Sequence, residues 1–276
     1  MKCPFCEHSK AHKHGKTSKG SQRYRCPICG QTFTDTLDTL HYRRRVSPDV
    51  IERTLQAHAE GMSLRGISRQ TSLAYDTVSS LLSAASEKVQ MVHNASVNDV
   101  LTQEIAADEM WSFVKKKQKH CRDGEQSQGD CWIAISLDRQ AGLILSARIG
   151  KHTDALLTEL WVSTEGKTAC KRWYTDGWEG YKRIFTEEIN HTSSKKYTQK
   201  LERTNGVIRQ QTGRWHRRQN KFSKQWERTK VTTRIVVGYF NWIWRHSRKK
   251  TTAAQRAELT DFAWRWDDIF TYPTLY

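Results

Sequence analysis

Ile105-Ala-Ala-Asp108-Glu-Met-Trp-Ser-Phe-Val114 reads as a β-strand with one misfit, an acid at 108 where an apolar residue is expected. The flanking chain supplies a setting. Lys115 to Gly129 is a charged, polar excursion. Cys131-Trp-Ile-Ala-Ile-Ser-Leu137 and Leu143-Ile-Leu-Ser-Ala-Arg-Ile149 are two further strands joined by the turn Asp138-Arg-Gln-Ala-Gly142, which predicts an antiparallel meander. Thr153 to Trp161 has the pattern of a capped helix. Lys171-Arg-Trp-Tyr-Thr-Asp176-Gly177 is a strand that ends in a second acid at a Gly turn.

The order strand, strand, strand, helix, strand, with acids on the first and fourth strands, is the layout of an α/β ribonuclease-H-like fold. Two carboxylates on adjacent strands lie side by side, and a third from a later helix suffices to hold two cations roughly 3.5 to 4 Å apart. Sixty-seven residues separate Asp108 from Asp176 and 25 separate Asp176 from Glu202, room for two strands and a helix, then for a strand or turn before a helix. Glu202 also stands out by contrast. Between Lys195 and Lys250 there are 17 Lys and Arg against two acids, Glu202 and Glu227, so this window carries +15 of the chain's +17. Each acid has a plainer reading as well. Asp108 fits a surface charge with Glu109 the ligand, Asp176 fits the start of the Gly177 turn, and Glu202 fits a helix N-terminal carboxylate favoured by the dipole. Asp138 and Asp154 read as turn or capping residues.

A chain of 276 residues is long enough for two or three units, and aromatic usage divides it. All 11 Trp lie at or after Trp111, whereas four of the seven Cys precede Met110. The sequence pI near 9.7 favours a polyanionic partner, because clustered Lys and Arg gain affinity by releasing phosphate counterions. No stretch approaches the roughly 18 consecutive apolar residues that span a bilayer, and Met1-Lys-Cys-Pro-Phe-Cys lacks a signal-peptide core, so no membrane association and a cytoplasmic protein are expected.

Cys3-Pro-Phe-Cys6 and Cys26-Pro-Ile-Cys29-Gly30 are two Cys-x-x-Cys knuckles 19 residues apart, a spacing that predicts a zinc ribbon over 1–40 with one structural Zn²⁺. Phe5, Tyr24 and Phe33 are its candidate miniature core, with a redox dithiol the rival reading and His8, His12 and His14 possible substitute ligands. Over 46–86 the pattern becomes helical. Ser47-Pro48 opens one helix, Gly61 stops it, and Ser63 to Gln70 and Tyr75 to Leu82 are two more. This predicts a helix-turn-helix whose last helix presents Tyr75, Asp76, Thr77, Ser79 and Ser80 to the DNA major groove, against the plainer reading of a small helical bundle. The polar stretch 87–100 reads as a linker, leaving 101–276 as the catalytic domain. In its basic tail, Arg214 to Lys230, with Arg217 and Arg218, reads as a phosphate track. Val231, Ile235, Val236, Tyr239, Phe240 and Ile243 have core-helix spacing, and Trp264, Trp266, Phe270 and Tyr272 read as a C-terminal cover.

Asp108-Glu-Met-Trp-Ser-Phe, Tyr174-Thr-Asp176-Gly-Trp-x-x-Tyr181 and Thr198-Gln-x-Leu-Glu202-Arg-x-Asn205, behind a four-cysteine ribbon and helix-turn-helix, resemble the insertion-sequence transposases of the InsA-InsB fusion type. The resemblance covers nearly the whole chain. It implies a DDE transposase that cuts and joins DNA with Mg²⁺ or Mn²⁺ held by Asp108, Asp176 and Glu202, its N-terminal part recognising terminal inverted repeats. Double-stranded element ends and target DNA are the implied partners. A homodimer or higher oligomer is expected, because two ends must be joined together. Arg209, seven residues after Glu202, matches a basic residue found two helical turns on in many such enzymes. The Tyr-Arg-Glu-Lys signature of some other transposases is absent, since Thr198 occupies the arginine position. Two other function classes remain open to the sequence. One is a DNA-binding regulator with an inactive catalytic domain; the other, a tyrosine recombinase using Tyr174, Tyr181 or Tyr197, lacks the required Arg and His constellation.

Overall fold

The computed structural model describes residues 1–18, 20–215 and 220–273. At the N-terminus, β1 (His12–Lys16), β2 (Gln22–Arg25) and β3 (Thr32–Thr34) form a three-stranded antiparallel sheet in that order. Tyr24 is paired with Phe33 and their rings stack at 5.8 Å, while Phe5 meets Phe33 edge-on and stays 54% exposed. The buried members of this small cluster are Cys3, Cys26 and Phe33.

Three helices follow: α1 (Pro48–Ala59), α2 (Leu64–Thr71) and α3 (Tyr75–Ser96). Ser47 precedes a Pro at the start of α1, and the Ser63 hydroxyl accepts the Gly66 N–H at 3.1 Å to cap α2. Gly61, between the two, has φ +82°, and a Cβ there would lie 2.5 Å from the Gln211 carbonyl oxygen, so only glycine permits this turn against the chain at 211–212.

The expected linker over 87–100 is helix as far as Ser96, and one face of it, with Lys88, Val89, Val92 and His93, is buried. Val78, Leu81, Leu82, Ala85, Val89 and Val92 run on at helical spacing along one buried face of α3. Two of the buried polar residues reach backbone carbonyls, although His93 Nδ1 and Ser96 Oγ find no partner among the described residues. Lys88 donates to the carbonyls of Asp38 (2.8 Å) and Tyr272 (2.6 Å), and His93 bonds the Leu145 carbonyl at 3.0 Å. The second half of α3 thus packs one face into the interior.

The central sheet is built from β4 (Ile105–Val114), β5 (Gly129–Asp138), β6 (Ile144–Gly150), β7 (Arg172–Thr175) and β8 (Asn190–Ser193), with α4 (Asp154–Glu165) before β7 and the short α5 (Gly180–Ile184) before β8. The strand order is β6-β5-β4-β7-β8. The first three pair antiparallel as the predicted meander, and β7 and β8 are parallel to β4, which is the ribonuclease-H-like arrangement. α6 (Lys195–Thr212) lies over β4 and β7. α7 (Trp226–Gly238) runs into a π-helical turn, Tyr239–Ile243, and packs on α3; a Cβ at Gly238 would overlap Val89, so glycine sets how closely the two helices approach. α8 (Ala253–Arg256) and α9 (Trp266–Thr271) close the chain, with Trp266 and Phe270 buried as the expected cover. Buried apolar residues from Leu40 through α1, α3, the sheet, α7 and α9 form one continuous core. Among the described residues no helix is long and apolar enough to cross a membrane.

Candidate active site

Parallel pairing of β4 with β7 sets Ala107 against Thr175, so Asp108 and Asp176 come next at neighbouring positions on the two chains. Asp108, Glu109 and Asp176 each place a carboxylate oxygen within 4.8 Å of the other two. Asp176 stands where β7 ends. Its Oδ1 accepts the Trp178 N–H at 3.0 Å, which forms the turn read from Gly177, and its carbonyl accepts from Ser193 Oγ at 2.7 Å. The turn reading and the site reading of Asp176 are therefore compatible.

Burial pushes the Asp108 carboxyl up, as does the charge of Asp176, against the opposing pull of the Glu109 backbone N–H, the Asn205 amide and Arg209. Glu109 is more deeply buried, and desolvation together with the two aspartates raises it to about 8 although the Tyr181 phenol donates to its Oε1. Three mutually close carboxylates in a half-buried setting repel one another beyond what Arg209 offsets at Asp108, and a divalent cation would supply the balance. The donor set is all oxygen, which suits Mg²⁺ or Mn²⁺.

Of the expected triad, the structure brings together Asp108 and Asp176 and leaves Glu202 outside the cluster. Glu202 is exposed on α6 and accepts from Thr198 Oγ1 at 3.2 Å. Asn205, one helical turn later, makes the contact from α6 to the acids: it is wholly buried, and its Nδ2 donates to Asp108 Oδ2 at 2.8 Å. Thr198, Glu202, Asn205 and Arg209 recur at helical spacing, so they share a face of α6. Asp138 and Asp154 stand apart, as read. The first accepts the N–H groups of Gln140 and Ala141, both at 2.9 Å; the second opens α4 and pairs with Arg183 at 2.6 Å.

Glu109, Tyr181 and Asn205 are site residues whose roles the sequence did not disclose. Tyr181 and Asn205 stood in the quoted motifs, but a neutral side chain gives no charge signal. Glu109 was visible only as an alternative to Asp108, because strand alternation places consecutive residues on opposite faces and hides that both reach one cluster.

The four cysteines form a second candidate metal centre. All four Sγ atoms lie within 4.8 Å of one another, with Cys3 to Cys29 at 3.7 Å and Cys6 to Cys26 at 3.5 Å. Tetrahedral Zn–S bonds of about 2.3 Å imply sulfur separations of roughly 3.8 Å, so the donor set fits zinc. His12 and His14 are exposed on β1, outside the cluster.

Of the residues expected to meet DNA, Tyr75 is 43% exposed and Thr77 is half-buried. Ser79 is a correction. It is buried at 7% exposure, because α7 packs on that side of α3 and Arg228 donates to the Ser79 carbonyl at 3.3 Å. Arg217 and Arg218 lie outside the described residues.

A family model described as IS1 transposase matches residues 101–243, just over half of the chain. Insertion element IS1 4 protein InsB of Escherichia coli (strain K12) is 31% identical over 134 residues, 49% of this chain and 71% of that protein. Insertion element IS1 protein InsB of Shigella flexneri is 31% identical over the same length, covering 91% of its own chain. Among solved structures, the catalytic core domain of BIV integrase covers 56% of this chain and 93% of its own at 11% identity, and its TM-score of 0.38 makes the likeness remote. With the matched segment spanning the whole carboxylate cluster and α6, this chain belongs to the IS1 transposase family.

Proposed function

We propose that this transposase is a DDE enzyme that cuts DNA at the ends of its element and joins them to target DNA at the Asp108–Asp176 cluster. The observation that carries this is the pair of carboxylates at matched positions on adjacent parallel strands, with α6 laid across them. Divalent cations bound there would activate the attacking hydroxyl and offset charge on the phosphoryl oxygens. Asp108 and Asp176 hold those cations. Glu202 supplies the third carboxylate by turning its exposed side chain about α6, whereas Glu109 has Oε1 committed to Tyr181. Arg209 acts on Asp108 through its charge and faces the DNA backbone. Hydrolysis at the element end frees a 3′ hydroxyl, and that hydroxyl attacks a phosphodiester of the target. Cys3, Cys6, Cys26 and Cys29 hold Zn²⁺, α2 and α3 with Tyr75 and Thr77 contact the inverted repeats, Arg217 and Arg218 belong to the phosphate track, and a homodimer or higher oligomer brings two ends together.

The test is cleavage of a labelled end-containing duplex in Mg²⁺, beside a gel-shift on the same DNA. Asp108→Asn, Asp176→Asn and Glu202→Gln keep side-chain size but remove the metal-binding charge, and each should lower cleavage by at least about a thousandfold, on the order of 4 kcal/mol of barrier, with binding retained. Glu109→Gln keeps an acceptor for Tyr181 and should still cleave. Loss with Glu109→Gln and retention with Glu202→Gln would make Glu109 the third ligand. A wild-type protein that binds the ends but cleaves them with no divalent metal would overturn the proposal.

A further inference from the structure

Nine of the eleven Trp pack in or against the main core; Trp111 and Trp226 do not, and neither do Phe113 and Phe222. Trp111 and Phe113 alternate with Glu109 along β4, so all three stand on one face of the strand, and Trp111 is paired across to Trp132. Phe222 is brought onto this face by the chain after residue 220. Ser223 bridges to Val114, and the Lys115 N–H donates to the Ser223 carbonyl at 2.8 Å. The result is a half-exposed aromatic run, with Phe222 to Phe113 at 4.4 Å and Phe113 to Trp111 at 5.7 Å between ring centroids.

Cations accompany the rings. Lys224 Nζ lies 3.9 Å from the Phe222 centroid, and Lys117 Nζ lies 5.8 Å from Trp111 and 6.0 Å from Phe113. Next to them is an open hollow lined by Lys115, Ser127, Gln128, Lys224, Gln225 and Trp226. Lys116 is neutralised by Glu125 at 2.8 Å, and Lys115 also acts on that carboxylate, but among the described residues Lys117 and Lys224 stand in no ion pair. Apolar rings half in water cost free energy in the isolated protein, and unpaired lysines beside them select an anionic occupant with flat apolar faces. An unpaired stretch of nucleic acid has both, whereas a paired duplex keeps its base faces inside the stack.

We propose that this ledge binds unpaired nucleotides of the DNA strand adjoining the cleaved phosphodiester, their bases stacked on Trp111, Phe113 and Phe222 and their phosphates against Lys117 and Lys224. Its place follows from the strand: Trp111 is two residues, roughly 7 Å, beyond Glu109 of the carboxylate cluster. The proposal rests on the DNA-processing function above, and adds that the strand near the cut is held single-stranded.

The test uses the full chain and fluorescence anisotropy with two probes, a labelled dT12 single strand and a blunt duplex of an element end. The double variant Trp111→Ala/Phe222→Ala should lose about 30-fold or more in affinity for dT12 and change duplex affinity by no more than about twofold. Trp111→Phe/Phe222→Tyr, which preserves flat rings and also controls for folding, should stay within about threefold of wild type on dT12. Equal dT12 affinity for wild type and the alanine variant would overturn the ledge, as would equal loss in the alanine and aromatic variants. Wild type that binds duplex but not dT12 overturns the ledge alone; wild type that binds neither overturns the DNA-processing reading with it.

Discussion

The two ends of the molecule are held by different means. In the N-terminal ribbon the buried cluster is Cys3, Cys26 and Phe33, so two of its three members are themselves candidate ligands. In the body, one continuous core runs from Leu40 to Phe270 and takes in helices on both sides of the sheet. A three-stranded sheet with that little apolar burial does not fold unaided, whereas the body does not depend on an ion for its shape. On the proposed assignments metal would hold the fold in one region and serve the chemistry in the other, and the same class of perturbation should act on them separately.

The largest expected effect comes from removing the ribbon's metal. Zinc binding to such sites is worth roughly 10 kcal/mol or more of folding free energy, so a strong chelator, or Cys26→Ser, should unfold residues 1–36. All 11 Trp lie at or after Trp111, which makes tryptophan emission blind to the ribbon. Limited proteolysis should show new cleavage before residue 37 while the emission spectrum and its thermal midpoint stay put. A midpoint that falls with the metal would mean that the two regions fold as one and would break the comparison.

Legibility in the sequence follows the same division. The cysteine spacing points to four thiols in one place, which is where the structure puts them, and the meander, α4 and β7 were readable because apolar alternation and turn residues agree there. Asp108 and Asp176 were readable as acids that spoil a strand or end one. What escaped is polar and buried. Residues 87–96 read as linker because Lys88 and His93 interrupt the apolar period, although the period continues through Val89 and Val92. Ser79 read as exposed because a small hydroxyl residue carries no burial signal, and the packing of α7 on α3 is a contact between residues about 150 apart in the chain. The tie between Asn205 and Asp108 is likewise long-range. Glu202 was readable as an odd charge in a basic window, but the rotamer that puts it beside or away from the cluster is not written in its spacing.

Asn241 tests whether the C-terminal region belongs to the body. β6 is an edge strand, and the wholly buried Asn241 completes it: its Oδ1 accepts the Ile144 N–H at 2.9 Å and its Nδ2 donates to the Ile144 carbonyl at 2.8 Å. Asn241→Leu keeps volume but strands two buried backbone groups, at about 1–3 kcal/mol each, for a loss of about 4 kcal/mol in all. The tryptophan-monitored thermal midpoint should fall by roughly 8–16 °C, in a single transition. A midpoint within about 2 °C of wild type would show that the C-terminal turn is an appendage and not a part of the edge.

The smallest effect asks the same of α3, and does so through pH. His93 is buried on α3 with Nε2 bonded to the Leu145 carbonyl of β6 at 3.0 Å. Burial lowers its pKa to about 4, with Lys167 and Arg148 acting in the same direction against the favourable Leu145 carbonyl. In the unfolded chain the imidazole titrates near 6.5, so between pH 6.5 and 4 the unfolded state takes up a proton that the folded state refuses. Stability from this group is therefore complete above pH 6.5 and is lost as pH falls toward 4, by roughly 3 kcal/mol at most. His58, also wholly buried and lowered well below 6.5 by desolvation and then by Arg214 and Arg228, adds a loss of the same sign. A comparison of variants separates the two. His93→Gln keeps a donor for Leu145 but cannot be protonated, so its urea midpoint, read by tryptophan emission, should decline less steeply from pH 6.5 to 4 than the wild-type midpoint, the two stabilities drawing together by about 3 kcal/mol. Because that emission does not see the ribbon, thiolate protonation there leaves the reading untouched. Parallel curves for variant and wild type would mean that α3 is free of β6 in solution, and the body would then begin after the helix and not before it.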